Sequence, residues 1–183
     1  MLLAPVERPA SPWLRLVYRL TARQFGKVIG PVRVIYSRKP GLLLLAAQIQ
    51  RTMERGLSLE PSLRLLVQTQ TARQNGCTFC EDLTLAHAVR EKVGEERFRA
   101  LGDFRTSPVF TERERAALAF AEEATLHRRL TEQTAAAVRA HFTELEIVEL
   151  TWLNAAENYF NLQAAVLGIE SDGLAALSRP RGG

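Results

Sequence analysis

A chain of 183 residues, 46 % hydrophobic and 24 % charged, can bury a core without disulfide staples and has the balance of an ordinary globular domain. Its longest apolar run, residues 42–47, falls far short of the roughly 20 residues that a membrane span requires, and its first residues lack the charged start and long apolar stretch of a secretory signal, so the expected address is a reducing cytoplasm. The formal net charge of +4 is unevenly placed: residues 1–57 carry ten basic side chains against two acidic ones, and the remainder carries fourteen against eighteen.

From the N-terminus, Trp13, Leu16, Val17 and Leu20 recur at helical spacing and predict an amphipathic helix from Trp13 to about Phe25, which Gly26, Gly30 and Pro31 break. The basic residues of this front are spread along the helix rather than clustered, and no nucleic-acid motif accompanies them. The expectation is therefore no nucleic acid and no membrane partner, but a solvated or subunit-facing arm that complements the acidic body. Val32–Tyr36 is the only segment of strand-like composition, and one such piece cannot make a sheet. Helices follow over residues 42–55, closed by Gly56 with Ser58 capping the approach to the next, and over 61–74, with Leu63, Leu66, Val67 and Gln70 on one side and Asn75-Gly76 as the stop.

A further helix is predicted from about Cys77 to Val93, a shorter one over 95–101, and a loop over 102–108. Thr111 and Glu114 form a capping box before the next helix, Thr131 caps another through Val138 and Phe142, and Thr143 with Glu146 opens a long helix that Gly168 ends. From Ser178 the Arg-, Pro- and Gly-rich tail is expected to fray. The reading is an all-α chain: a basic helical arm over residues 1–39, a helical domain over 40–177 and a tail over 178–183.

Both cysteines of the chain fall in one Cys-x-x-Cys pair, Cys77 and Cys80, so a network of disulfide staples is excluded and a redox dithiol, a metal half-site or inert packing remain. Helices on both sides argue against the strand-borne dithiol of thioredoxin. Only His87, His127 and His141 are available to complete a zinc site. At the start of a helix, unpaired backbone N–H groups favour thiolate, while Glu81 and Asp82 in the same turn limit that effect. On the last long helix Asn154, Asn158 and Asn161 form a polar stripe that either lines a cleft at the dithiol or bonds across a helix interface.

The segment Leu63-Arg64-Leu65-Leu66-Val67, followed by Ala72-Arg73-Gln74-Asn75-Gly76-Cys77-Thr78-Phe79-Cys80, resembles the core of the alkylhydroperoxidase AhpD-like / carboxymuconolactone decarboxylase family. Residues 111–122, 146–151, 158–161 and 167–169 resemble its second half, and together the likeness covers about residues 40–170. It implies an AhpD-like helical fold assembled as a trimer or hexamer. It also implies a dithiol peroxidase that needs no cofactor and no metal, acts on a hydroperoxide or disulfide, and is recycled by a reducing disulfide-carrier protein. Carried over, Cys80 is the attacking thiol and Cys77 the resolving one.

The family's redox members place a glutamate twelve residues before the first cysteine and a histidine four after the second; here these positions hold Leu65 and Thr84. Such a relay contributes about 10²–10⁴-fold to rate. The candidate substitutes are Glu81, Thr84 and His87, the last about 10.5 Å beyond Cys80 along a helix and reachable through Thr84. The alternatives are a non-catalytic oligomeric binding or scaffold protein of the same fold, and a decarboxylase-type enzyme acting on a lactone.

Overall fold

The computed structural model describes residues 1–178, and among these the secondary structure is helical throughout. The helices are α1 (Pro12–Phe25), α2 (Gly41–Arg55), α3 (Pro61–Gln74), α4 (Thr78–Arg90), α5 (Glu95–Arg99), α6 (Glu112–His127), α7 (Glu132–His141), α8 (Glu144–Leu167) and α9 (Leu174–Ser178). The all-α reading holds, and both capping boxes close as expected: Thr111 Oγ1 accepts from Glu114 N at 3.2 Å and Thr143 Oγ1 from Glu146 N at 3.3 Å, while each glutamate accepts from its cap residue's N–H. A cap of this kind is worth about 1 kcal/mol.

α3 is the axis of the molecule. Every residue from 63 to 72 is buried, so the helix packs on all sides, against α4, α6 and α8. The expected one-sided stripe understates this, because Thr69 and Thr71 look exposed on a polarity scale. Their hydroxyls donate to the carbonyls of Leu65 and Val67, at 2.7 and 2.9 Å, and so they enter the core with their polar groups satisfied. One side of α3 meets Phe120, Leu150 and Leu153 of α6 and α8; the other, through Leu65 and Leu66, meets Phe98, Leu101 and Phe104.

Four local expectations are corrected. Val32–Tyr36 is a π-helical turn, in which Ser37 N donates to the Val32 carbonyl at 3.0 Å. With no second strand to pair with, its backbone closes hydrogen bonds internally while Val32, Val34 and Tyr36 are buried. Ser58 does not cap α3; its N–H and hydroxyl bond the Glu149 carboxylate of α8 at 2.8–2.9 Å, and Pro61 opens the helix instead. α4 ends at Arg90 rather than Val93, because the chain turns at Glu91 and Lys92, the latter at φ +54°. Ser178, expected to fray, closes the short helix α9; the rest of the expected tail lies outside the described residues.

The front of the chain lies against the body. Leu2 N donates to the Leu167 carbonyl at 3.0 Å, Val6 N to Arg33 at 3.0 Å, and the Tyr18 hydroxyl to the Val6 carbonyl at 2.6 Å. α1 buries Leu14, Tyr18 and Thr21, not the predicted stripe: Trp13, Leu16 and Leu20 are 43–58 % exposed in the single chain. The helix turns its second apolar face inward because Tyr18 joins Val32, Tyr36 and Ala46 in a small cluster that roofs the site described next.

Candidate active site

The dithiol sits where α3 stops and α4 starts. Gly76 takes φ +64°, a left-handed conformation that suits glycine, and lets Cys77 N reach back to the Ala72 carbonyl at 2.9 Å, closing α3. Cys77 is then the N-cap of α4, its Sγ accepting from Cys80 N at 3.3 Å, and Cys80 lies in the first turn. The two are joined as a disulfide, with Cα atoms 5.3 Å apart. Both are buried, at 3 and 4 % exposure.

Asn75, one residue before the glycine, is held by α8: its Nδ2 donates to Asn158 Oδ1 and Asn161 Oδ1, each at 2.9 Å. Asn154 donates to Thr71 and Thr125 hydroxyls, both at 2.9 Å. Of the two roles expected for the asparagine stripe, the interface role is the one seen: it binds α8 to the turn that carries the dithiol. From the other side Asp82 accepts from Leu174 N at 2.8 Å, Ala175 N at 2.9 Å and Ser171 Oγ at 2.9 Å, which seats α9 on α4.

A cavity of about 350 Å³ opens over α4. Cys80 lines it and Cys77 does not. Apolar walls come from Phe25, Ile29, Val32 and Ile35 of the N-terminal segment, from Leu43 and Ala46 of α2, and from Phe160 of α8. Among its polar groups are Gln68 from α3, Thr84 and His87 from α4, Arg51 and Glu54 from α2, Tyr36 and Glu157. This is the usual make-up of a small-molecule pocket, apolar with a few placed polar atoms.

The sequence-predicted residues divide. Thr84 and His87 share the cavity with Cys80, whereas Glu81 is outside its lining and pairs with Arg73 at 2.7 Å. The Thr84 hydroxyl donates to the Glu81 carbonyl at 2.9 Å and lies 2.9 Å from Thr69 Oγ1. The conceivable chain from Cys80 through Thr84 to His87 is thus not formed. His87 Nδ1 is 3.9 Å from Glu54 Oε1, and burial lowers its pKa, outweighing the opposite pull of Glu54. Leu65 packs into the cluster of Leu66, Ala88 and Phe98, where an acid would be surrounded by hydrocarbon.

Two residues of the site were missed. Glu157 is 4 % exposed; one oxygen accepts from Asn161 Nδ2 at 2.6 Å, and that is its hydrogen-bond partner among the described residues. Burial raises its pKa to about 7, against the smaller lowering by Asn161. Gln68 is equally buried, and its amide has no partner among the described residues. The available signal was Glu157 between Asn154 and Asn161, an acid on a stripe already marked as polar and inward-facing. Tyr36 completes the set, its pKa pushed up to about 12 by burial and, less, by Tyr159.

Residues 45–123, which include α3, the dithiol and α4, match the Carboxymuconolactone decarboxylase family. Over 76 % of this chain and 97 % of the other, the fold superposes with TM-score 0.70 and 25 % identity on an Agrobacterium tumefaciens protein of unknown function, proposed as the antioxidant defence protein AhpD. The fold is AhpD-like, and its central region is similar to the carboxymuconolactone decarboxylase family. Along 88 % of its length this AhpD-like chain is 29 % identical to the uncharacterized protein YnjA of Escherichia coli, covering 90 % of that protein. The fold extends through the N-terminal segment: the debrominase Bmp8, in complex with a tribromopyrrole, superposes with TM-score 0.81 over 97 % of this chain and 95 % of that one, at 20 % identity. No helix among the described residues is long and apolar enough to cross a membrane.

Proposed function

We propose that this AhpD-like chain is a dithiol peroxidase, or more broadly a thiol–disulfide oxidoreductase, in which Cys80 attacks and Cys77 resolves. The observation that carries the reading is that Cys80 alone of the two sulfurs lines the cavity, while Cys77 stands behind it within disulfide distance. In the reduced protein the Cys80 thiolate attacks one oxygen of a hydroperoxide, the O–O bond breaks, and the departing alkoxide takes up a proton to leave as alcohol. The resulting sulfenic acid condenses with Cys77: the new S–S bond forms, the hydroxyl departs with a proton as water, and the dithiol has given two electrons to the peroxide. A disulfide-carrier protein returns those electrons by exchange. The mainly apolar walls suit an organic hydroperoxide, and the small aromatic molecule carried by the debrominase of the same fold supports a cavity of this kind.

The exposed apolar side chains Trp13, Leu16 and Leu20 of α1, with Leu44 and Leu45 of α2, support the assembly of several copies, a trimer or hexamer. Thiol titration before and after one equivalent of hydroperoxide tests the chemistry. Two thiols should disappear in the parent; Cys77→Ser should hold Cys80 as a sulfenic acid that dimedone traps, and Cys80→Ser should consume no peroxide. Leu65 and Thr84 at the relay positions favour the second reading, a non-catalytic oligomeric scaffold, and both thiols surviving peroxide would overturn the first.

A further inference from the structure

The dithiol reading leaves two proton transfers unaccounted for: a proton must leave the Cys80 thiol, and a proton must reach the departing oxygen. Neither of the positions that resemblance assigns to this work can do it, since Leu65 is aliphatic and packed away from the cavity and the Thr84 hydroxyl is held by the Glu81 carbonyl. Two buried polar side chains with unused bonding capacity face the same cavity as Cys80. They are the Glu157 carboxyl, one oxygen of which is unbonded among the described residues, and the Gln68 amide.

Glu157 is also tied mechanically to the dithiol. Its bonded oxygen is held by Asn161, and Asn161 holds Asn75, which sets the turn leading into Cys77. The carboxyl is therefore tied by two hydrogen bonds to Asn75 and from there by the backbone of the turn to Cys77, with its other oxygen left for the cavity.

On the strength of these contacts, and resting on the dithiol reading above, we propose that Glu157 is the acid–base group of the site. It takes the proton of the Cys80 thiol as sulfur attacks and delivers it to the alkoxide as the O–O bond breaks. Over the cycle Glu157 gains and loses one proton and is unchanged. Gln68, with a donor and an acceptor, holds the hydroperoxide between the two. The carboxyl's readiness to exchange a proton near neutrality fits the task, because a shuttle works best when its pKa lies close to the working pH. The other titratable or charged groups of the cavity are Tyr36 from the π-helical turn, Arg51 and Glu54 from α2, and His87 from α4.

The test uses the reduced full-length protein with tert-butyl hydroperoxide, following thiol loss by rapid mixing from pH 5 to 9. The parent rate should rise with the first deprotonation of the Cys80–Glu157 pair and fall with the second. Glu157→Gln should lower the maximum by about 10²-fold or more and abolish the falling limb, and Glu157→Asp should keep part of the rate and both limbs. Alkylation of Cys80 by iodoacetamide, whose iodide leaves without a proton, should change little once corrected for thiolate content. Peroxide rates in Glu157→Gln equal to the parent's overturn the proposal, and so does an equal loss of alkylation, which would mean that the site was merely deformed. A parent whose thiols survive peroxide while remaining open to iodoacetamide removes the dithiol reading itself, and the shuttle with it.

Discussion

Replacing Glu157 by Gln tests the protonation of the buried carboxyl without any catalysis. Burial raises its pKa from 4.5 in the open chain to about 7 in the fold, with the Asn161 bond acting the other way. Between these values the folded protein keeps a proton that the unfolded chain has lost, so stability falls as pH rises. Each pH unit costs about 1.4 kcal/mol, and from 4.5 to about 7 the loss amounts to about 3 kcal/mol, levelling off above. Glutamine keeps the shape and never ionises. Parent and variant, both held as the disulfide, are to be unfolded in urea at pH 5, 6, 7 and 8. The stability of the variant relative to the parent should climb by about 2–3 kcal/mol across this range, part of the difference being already present at pH 5, equivalent to roughly 4–12 °C in Tm for a domain of this size. A difference that stays flat from pH 5 to 8 would refute the raised pKa and the account of Glu157 as a protonated, desolvated acid.

His87 gives the opposite slope: burial lowers its pKa, so below pH 6.5 the unfolded chain takes up a proton that the folded one does not, and the parent should lose stability toward pH 5 relative to His87→Leu in the same urea series. Asp82→Ala leaves the amides of Leu174 and Ala175 without their carboxylate, at about 1–3 kcal/mol each; amide exchange should quicken at both positions first, and unchanged protection would show that α9 is held otherwise. Gly168→Ala places a Cβ 2.7 Å from Met1 Cα at φ +65°, and should cost at least about 1–2 kcal/mol together with the exchange protection of the Leu2 amide, read by thermal melting and amide exchange.

Much of the fold could be read along the chain because the signals are local. Thr111 and Thr143 with their glutamates, Pro61, Gly76 and Gly168 act within one helical turn of themselves, and the helices they bound are the ones observed. Where a segment's state depends on what lies across from it, the reading failed. Val32–Tyr36 has β-branched composition but no strand to pair with, and α1 shows two apolar faces of which only the packing chose one. Ser58 looked like a cap until Glu149, ninety-one residues away, claimed its N–H and hydroxyl.

The same division runs through the site. By itself the sequence determined that Cys77 and Cys80 come together, because two cysteines three positions apart at a glycine-closed helix end meet through backbone geometry alone, and it determined that Leu65 and Thr84 stand where a proton relay is expected. Only the tertiary structure decided which sulfur lines the cavity, that the N-terminal segment roofs it, and that Glu157, seventy-seven residues from Cys80, belongs to it. Burial and partner distance are properties of the packed chain: an identical glutamate on a solvated helix face would be an ordinary carboxylate, and it is the enclosure by α2, α3, α4 and the π-helical turn that makes this one exchange its proton near neutrality.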